Sequence, residues 1–81
     1  MKLIKLGAAW CAPCKQMDKL LEGIDHPLVK GITKVDVDEN PEVSAKYGVR
    51  GLPTLIIEDE HGEVRRVQGA KTKQQLLDFL G

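Results

Sequence analysis

Cys11 and Cys14 are the only cysteines of the chain, and two residues separate them. Thiols at this spacing could close a reversible disulfide, supply half of a zinc site or staple the fold. A closed zinc site needs four ligands, and the remaining candidates, His26 and His61, are too irregularly spaced for a finger. A disulfide across so short a loop removes little chain entropy and would staple almost nothing. Redox exchange is therefore the favoured reading, because one turn of helix brings such a pair within bonding reach. Cys11 would sit at the start of the helix, where unpaired amides and the positive end of the dipole favour a thiolate. Cys14, one turn in, is expected to be more buried. Pro13 fixes the backbone between them and offers no competing N–H. Trp10 adds a large apolar flank and is expected to be exposed at the rim. Thiolate Cys11 would attack a disulfide in a target, and Cys14 would then attack Cys11 and release the reduced target.

These residues need a strand before them and a helix after them, and the flanking sequence supplies both. Leu3 to Leu6 followed by Gly7 suits a strand running into a loop. Met17, Leu20, Leu21 and Ile24 fall at helical spacing, which makes Met17 a core residue and leaves Lys15, Gln16, Asp18, Lys19 and Glu22 to face water. Gly23 weakens the end of this helix, and His26-Pro27 predicts a loop. Ile32, Val35 and Val37 predict a second strand. Asn40-Pro41 predicts a helix start in which Asn40 accepts from free amides, with the helix stopping at Gly48. Thr54 to Ile57 and Glu63 to Gln68 predict an antiparallel hairpin whose Glu58-Asp59-Glu60 run solvates the tip. Thr72 and Gln75 form a capping box for a last helix with a stripe of Leu76, Leu77 and Leu80. The order β-α-β-α-β-β-α predicts an α/β fold, a four-stranded mixed sheet with helices on both faces.

The composition narrows the function further. Eighty-one residues suit one domain spanning 1–81. Twelve basic and twelve acidic side chains balance without long runs of one sign, so neither a nucleic-acid face nor a membrane-binding patch is expected. No stretch reaches the roughly 18 apolar residues of a membrane span. The start of the chain reads as a strand and not as a signal peptide. Together with the low cysteine count this predicts a reducing, cytoplasmic setting.

Trp10-Cys11-Ala12-Pro13-Cys14-Lys15 resembles the active-site signature of thioredoxins, with Ala12 where glycine is usual. The resemblance continues through Val35–Pro41, Lys46–Thr54, Gly62–Val64 and Gly69-Ala70, in order along the chain. It implies the thioredoxin fold and a protein-disulfide reductase that needs no bound cofactor. Its partners would be disulfide-containing proteins and an electron-donating reductase of the thioredoxin reductase kind, with a monomer as the working form. It further implies that Pro53 is a cis-proline facing the disulfide, and that Trp10, Gly51, Leu52, Pro53, Gly69 and Ala70 line a groove for an extended substrate segment. Two rival readings remain: a glutaredoxin-like enzyme reduced by glutathione, and a non-enzymatic binding subunit. The sequence departs from the family in three places. Thioredoxins carry a strand and a helix before the strand that feeds the cysteines, whereas here that strand is expected at the start of the sequence, as in the shorter glutaredoxins. Lys19 stands where the active-site helix usually has a kinking proline. Lys5 stands where thioredoxins usually carry a buried aspartate. Two placements are open for Lys5: beneath the dithiol, where its ammonium would favour a Cys14 thiolate, or out to water with only its stem buried.

Overall fold

Successive side chains of a strand point to opposite faces, and in the first strand both sets are apolar enough to be covered. The computed structural model of the protein describes residues 1–81. Strand β1 (Lys2–Gly7) leads to helix α1 (Ala12–Glu22), a short helix α2 (Pro27–Lys30) and strand β2 (Thr33–Asp36). Helix α3 (Pro41–Tyr47), the hairpin β3 (Thr54–Asp59) and β4 (Gly62–Gln68), and helix α4 (Lys73–Leu80) complete it. The sheet has the order β2-β1-β3-β4. β1 pairs parallel with β2, and the β1–β3 and β3–β4 pairs are antiparallel. This is the mixed four-stranded sheet that the pattern predicts.

One face of the sheet carries Leu3, Leu55 and Ile57, which pack with Met17 and Leu21 of α1 and Leu76, Phe79 and Leu80 of α4. The other face carries Ile4, Leu6 and Ile56, covered by Val43 and Tyr47 of α3. Lys5 and Gly7 alternate with Ile4 and Leu6, so they face α1. β1 is thus buried on both sides, and it holds the loop that bears the cysteines between two packed layers. No helix is long and apolar enough to cross a membrane.

Four local expectations are corrected. The loop expected at His26-Pro27 contains α2: the His26 ring Nδ1 accepts from the Leu28 amide at 3.1 Å, and Pro27 occupies the first turn. Asn40 does not cap α3 with its side chain. Its Nδ2 and backbone N–H both donate to the Asp36 carbonyl, at 3.2 and 2.9 Å, closing the turn after β2 instead. In α4 the capping box forms as expected. The buried stripe, however, is Leu76, Phe79 and Leu80, and Leu77 is exposed. These three stand at i, i+3 and i+4, one face of the helix, and Arg65 of β4 lies over that end, 5.5 Å from the Phe79 ring and donating to the free carbonyls of Phe79 and Leu80. Finally, Asp18 does not simply face water but is half-buried and ion-paired.

Leu55 lies on a central strand and is 0 % exposed. Leu55→Ala is expected to cost about 2–5 kcal/mol. Urea unfolding should show this as a lower midpoint at unchanged slope.

Candidate active site

β1 ends at Gly7, and after three intervening residues Cys11 becomes the N-cap of α1. Its extended backbone (φ −89°, ψ 104°) turns the chain into the helix, and its Sγ accepts from the Cys14 amide at 3.2 Å. A sulfur thus does the work that Ser or Asp does at an ordinary helix start. Pro13 lies in the first turn, where no amide is needed. The two cysteines are joined in a disulfide with their Cα atoms 5.3 Å apart. Both are buried, Cys11 at 5 % exposure and Cys14 at 2 %. The order agrees with the sequence reading, but Cys11 is not the openly exposed sulfur that a position at the helix start suggests, because Ala8, Val37 and Leu52 pack around the pair.

The sulfurs open onto two different clefts. On the Cys11 side is an apolar cleft of about 510 Å³ lined by Trp10, Cys11, Pro13, Val37, Gly51 and Leu52 among others. Trp10 forms its rim, 71 % exposed. The indole is held in place by donating to Asp38 at 2.6 Å, and the loop carrying Asp38 is in turn tied by the Asp36 carboxylate, which accepts from the amides of Asp38 and Glu39. Leu52-Pro53 is cis, as the resemblance implies. Pro53 itself is buried, and its carbonyl accepts from Gly69 at 2.8 Å. Of the six groove residues expected, Trp10, Gly51 and Leu52 line this cleft; Pro53, Gly69 and Ala70 do not. Val37, Ser44, Val49 and Arg50 line it and were not foreseen. Only the sheet topology, which sets the end of β2 and the flanks of α3 beside the cysteines, brings them there.

On the Cys14 side is a more polar cleft of about 410 Å³, lined by Lys5, Gly7, Cys14, Asp18, Lys34 and Asp36 among others. Lys5 does not reach for water. It is 6 % exposed, and its Nζ stands 2.8 Å from Asp18 Oδ1. Lys34 Nζ lies 3.6 Å from the same oxygen. Asp18 was missed, although it lies one turn beyond Cys14 on the helix, the spacing that puts two side chains on one face. His26 caps α2 and His61 sits exposed in the β3–β4 turn, so neither joins the cysteines.

The thioredoxin family model matches residues 1–81. Thioredoxins of Staphylococcus epidermidis are 40% identical to the chain over 82 aligned positions, covering 99% of it and 79% of their own length. Those of Staphylococcus aureus are 39% identical with the same coverage. The chain belongs to the thioredoxin family. Its fold agrees with the solved thioredoxin of Malassezia sympodialis at a TM-score of 0.83 and 30% identity, covering 98% of this chain and 70% of that one. The Plasmodium falciparum thioredoxin gives 0.83 at 29% identity, covering 96% and 80%. Like other thioredoxins, the protein is a thiol–disulfide oxidoreductase that reduces protein disulfides by exchange through Cys11 and Cys14. The glutathione-dependent and purely binding readings are not favoured.

Gly7 is demanded by space and not by its backbone angles. A Cβ at this position would stand 3.2 Å from both Cys14 Sγ and Lys5 Nζ. Gly7→Ala is expected to cost about 1–3 kcal/mol through overpacking. Thermal unfolding of the oxidised protein measures it, and a parent-like midpoint would show that the contact yields freely.

Proposed function

We propose that Cys11 is the attacking thiol of this thioredoxin-family reductase and Cys14 the resolving one. The observation that carries the assignment is the N-cap: Cys11 Sγ already accepts a backbone amide at the positive end of α1 and borders the apolar cleft. The same amide and dipole favour its thiolate on reduction. The thiolate attacks a target sulfur; a Cys11–target disulfide forms and the other target sulfur leaves with the electron pair. Cys14 then attacks Cys11 Sγ, closes the internal disulfide and releases the second target sulfur.

An extended target segment would lie against Trp10, Gly51 and Leu52, with the Gly69 carbonyl and the Ala70 backbone at its far side and Pro53, its carbonyl held by the Gly69 amide, shaping the corner between them. Strand-like pairing of this kind gives affinity without strong sequence preference. Pro13 keeps the first turn preorganised. Electrons come from a protein reductase of the thioredoxin reductase kind, and the chain acts as a monomeric single domain in the electron transport of a reducing cytoplasm. Balanced charge and the sparing use of cysteine support that setting.

Cys11→Ser should abolish insulin reduction, whereas Cys14→Ser should accumulate a mixed disulfide with the target. Mass spectrometry of non-reduced mixtures detects the adduct. An adduct formed through Cys14 in the Cys11→Ser variant would reverse the two roles.

A further inference from the structure

Lys5 is the one charged residue buried in the core. A lysine so placed needs an anion, and Asp18 Oδ1 supplies it at 2.8 Å. That oxygen is itself shut off from solvent and makes no well-directed hydrogen bond, so what compensates it is the charge of the Lys5 and Lys34 ammonium groups at 2.8 and 3.6 Å. The pair does more than satisfy itself. The point that a Cβ of residue 7 would occupy is 3.2 Å from Lys5 Nζ and 3.2 Å from Cys14 Sγ, so ammonium and sulfur are at most twice that distance apart. They share the space that glycine leaves empty, with no side chain between them.

We propose that the Lys5–Asp18 pair is a charge partner for Cys14: the Lys5 ammonium stabilises the Cys14 thiolate, and Asp18 is the positioning residue that holds the ammonium under the dithiol. Two ammonium groups and one carboxylate leave this trio with one net positive charge, which a thiolate at Cys14 neutralises. The other ionisable groups around the cleft are Lys15 on α1, Asp36 on β2 and Glu39 in the following loop. Lys15 and Glu39 are exposed and screened by water, and the Asp36 carboxylate is engaged by two backbone amides.

The assignment rests on Cys14 being the resolving thiol, and it bears on both directions of the exchange. In resolution the Cys14 S–H loses its proton, its electron pair forms the bond to Cys11 Sγ, and the Cys11–target bond breaks onto the target sulfur. Lys5 as an ammonium has no acceptor lone pair. The proton therefore passes to bulk water through the polar cleft, while the ammonium lowers the energy of the thiolate left behind. In reduction of the internal disulfide, a donor thiolate attacks Cys11 Sγ and the S–S electron pair leaves on Cys14, next to the same ammonium. A purely structural ion pair would predict nothing about either step.

The decisive variant is the exchange Lys5→Asp/Asp18→Lys, which keeps an ion pair and the net charge but puts the carboxylate beneath Cys14. A second variant, Lys5→Met/Asp18→Ala, removes the buried pair and leaves only Lys34 without its partner, a side chain already half exposed to water, and so protects the test against a failure of the exchange to fold. Both are placed in a Cys11→Ser background, and the rate of Cys14 alkylation by iodoacetamide is followed against pH. The profile should move to higher pH by about one unit in the apolar variant, a tenfold loss of thiolate at a given pH, and further in the exchange. With both cysteines restored, equilibration with glutathione at the alkaline end of the parent profile should favour the disulfide about tenfold more than in the parent. That is about 30 mV for a two-electron couple. The sign follows from the thiolate being the favoured partner: where the parent's Cys14 is protonated the difference vanishes. Parent-like alkylation in the exchange, or in the apolar variant should the exchange not fold, overturns the proposal. The alkylation readout needs no turnover, so a chain that fails to reduce insulin yet shows the shift would contradict the assigned reaction and leave the charge partnership standing.

Discussion

Helix α1 meets strand β1 at the cysteines so closely that a side chain at residue 7 would crowd both the helix and Lys5. At that point the strand must accommodate a helical sulfur and the tip of a buried lysine at once, each 3.2 Å from where a Cβ would stand. Everything else about the site follows from this approach. The loop after Gly7 is pinned by the Cys11 amide donating to the Ala8 carbonyl, which delivers Cys11 to the N-cap. Once there, its sulfur takes the Cys14 amide, and the two thiols fall within disulfide reach. Lys5 and Gly7 share a strand face by simple alternation, so a single two-residue step on β1 places both the charge and the gap beneath Cys14.

The rest of the sheet keeps that approach rigid. β1 is paired on both edges, with β2 parallel on one side and β3 antiparallel on the other. It is also packed on both faces. β3 delivers the Leu52-Pro53 corner to the cysteines, and the Gly69 amide locks the Pro53 carbonyl to the end of β4. On the other flank Val37 donates to the Gly7 carbonyl at 2.9 Å, extending the ladder by one residue and bringing the Asp38 side chain within reach of Trp10. The exposed indole is thereby an ordered rim and not a loose side chain. Three separate connections, after β1, after β2 and before β3, thus converge at one end of the sheet. A groove built from loops on a rigid frame is what a reagent for many protein disulfides requires.

Much of this was legible in the sequence where local chemistry decides it. The Cys-x-x-Cys spacing, the Thr72–Gln75 box and the Gly48 stop each act through neighbours in the chain, and each stands where expected. Illegible features depended on partners far along the chain. The face of α4 that turns inward, Leu76, Phe79 and Leu80, is set by how the helix lies on β3 and by Arg65, fourteen positions before Phe79, holding its last carbonyls. Asn40 serves the Asp36 carbonyl because the turn after β2 needs a donor more than α3 needs a cap. Lys5 could not be placed between core and water until Asp18 was seen beside it. The clue existed, since Cys14 and Asp18 are four apart on a helix and Lys5 and Gly7 two apart on a strand, but only the sheet topology superimposes the two faces.

The two clefts explain why a pair of neighbouring, chemically identical residues can act differently. Burial alone does not separate them, since both are nearly closed off in the disulfide. What differs is the medium each sulfur borders. Cys11 lies against Trp10, Val37 and Leu52, an apolar surface that favours docking of a protein segment and excludes water from the mixed disulfide. Cys14 lies against Lys5, Asp18 and Lys34, a surface that favours charge and leads to water. An apolar environment on both sides would penalise every thiolate the exchange creates, whereas a polar one on both sides would weaken target binding. Placing the disulfide in the wall between the two satisfies both demands: the N-cap residue Cys11 borders the apolar cleft, and Cys14, three residues on and joined to it, borders the polar one.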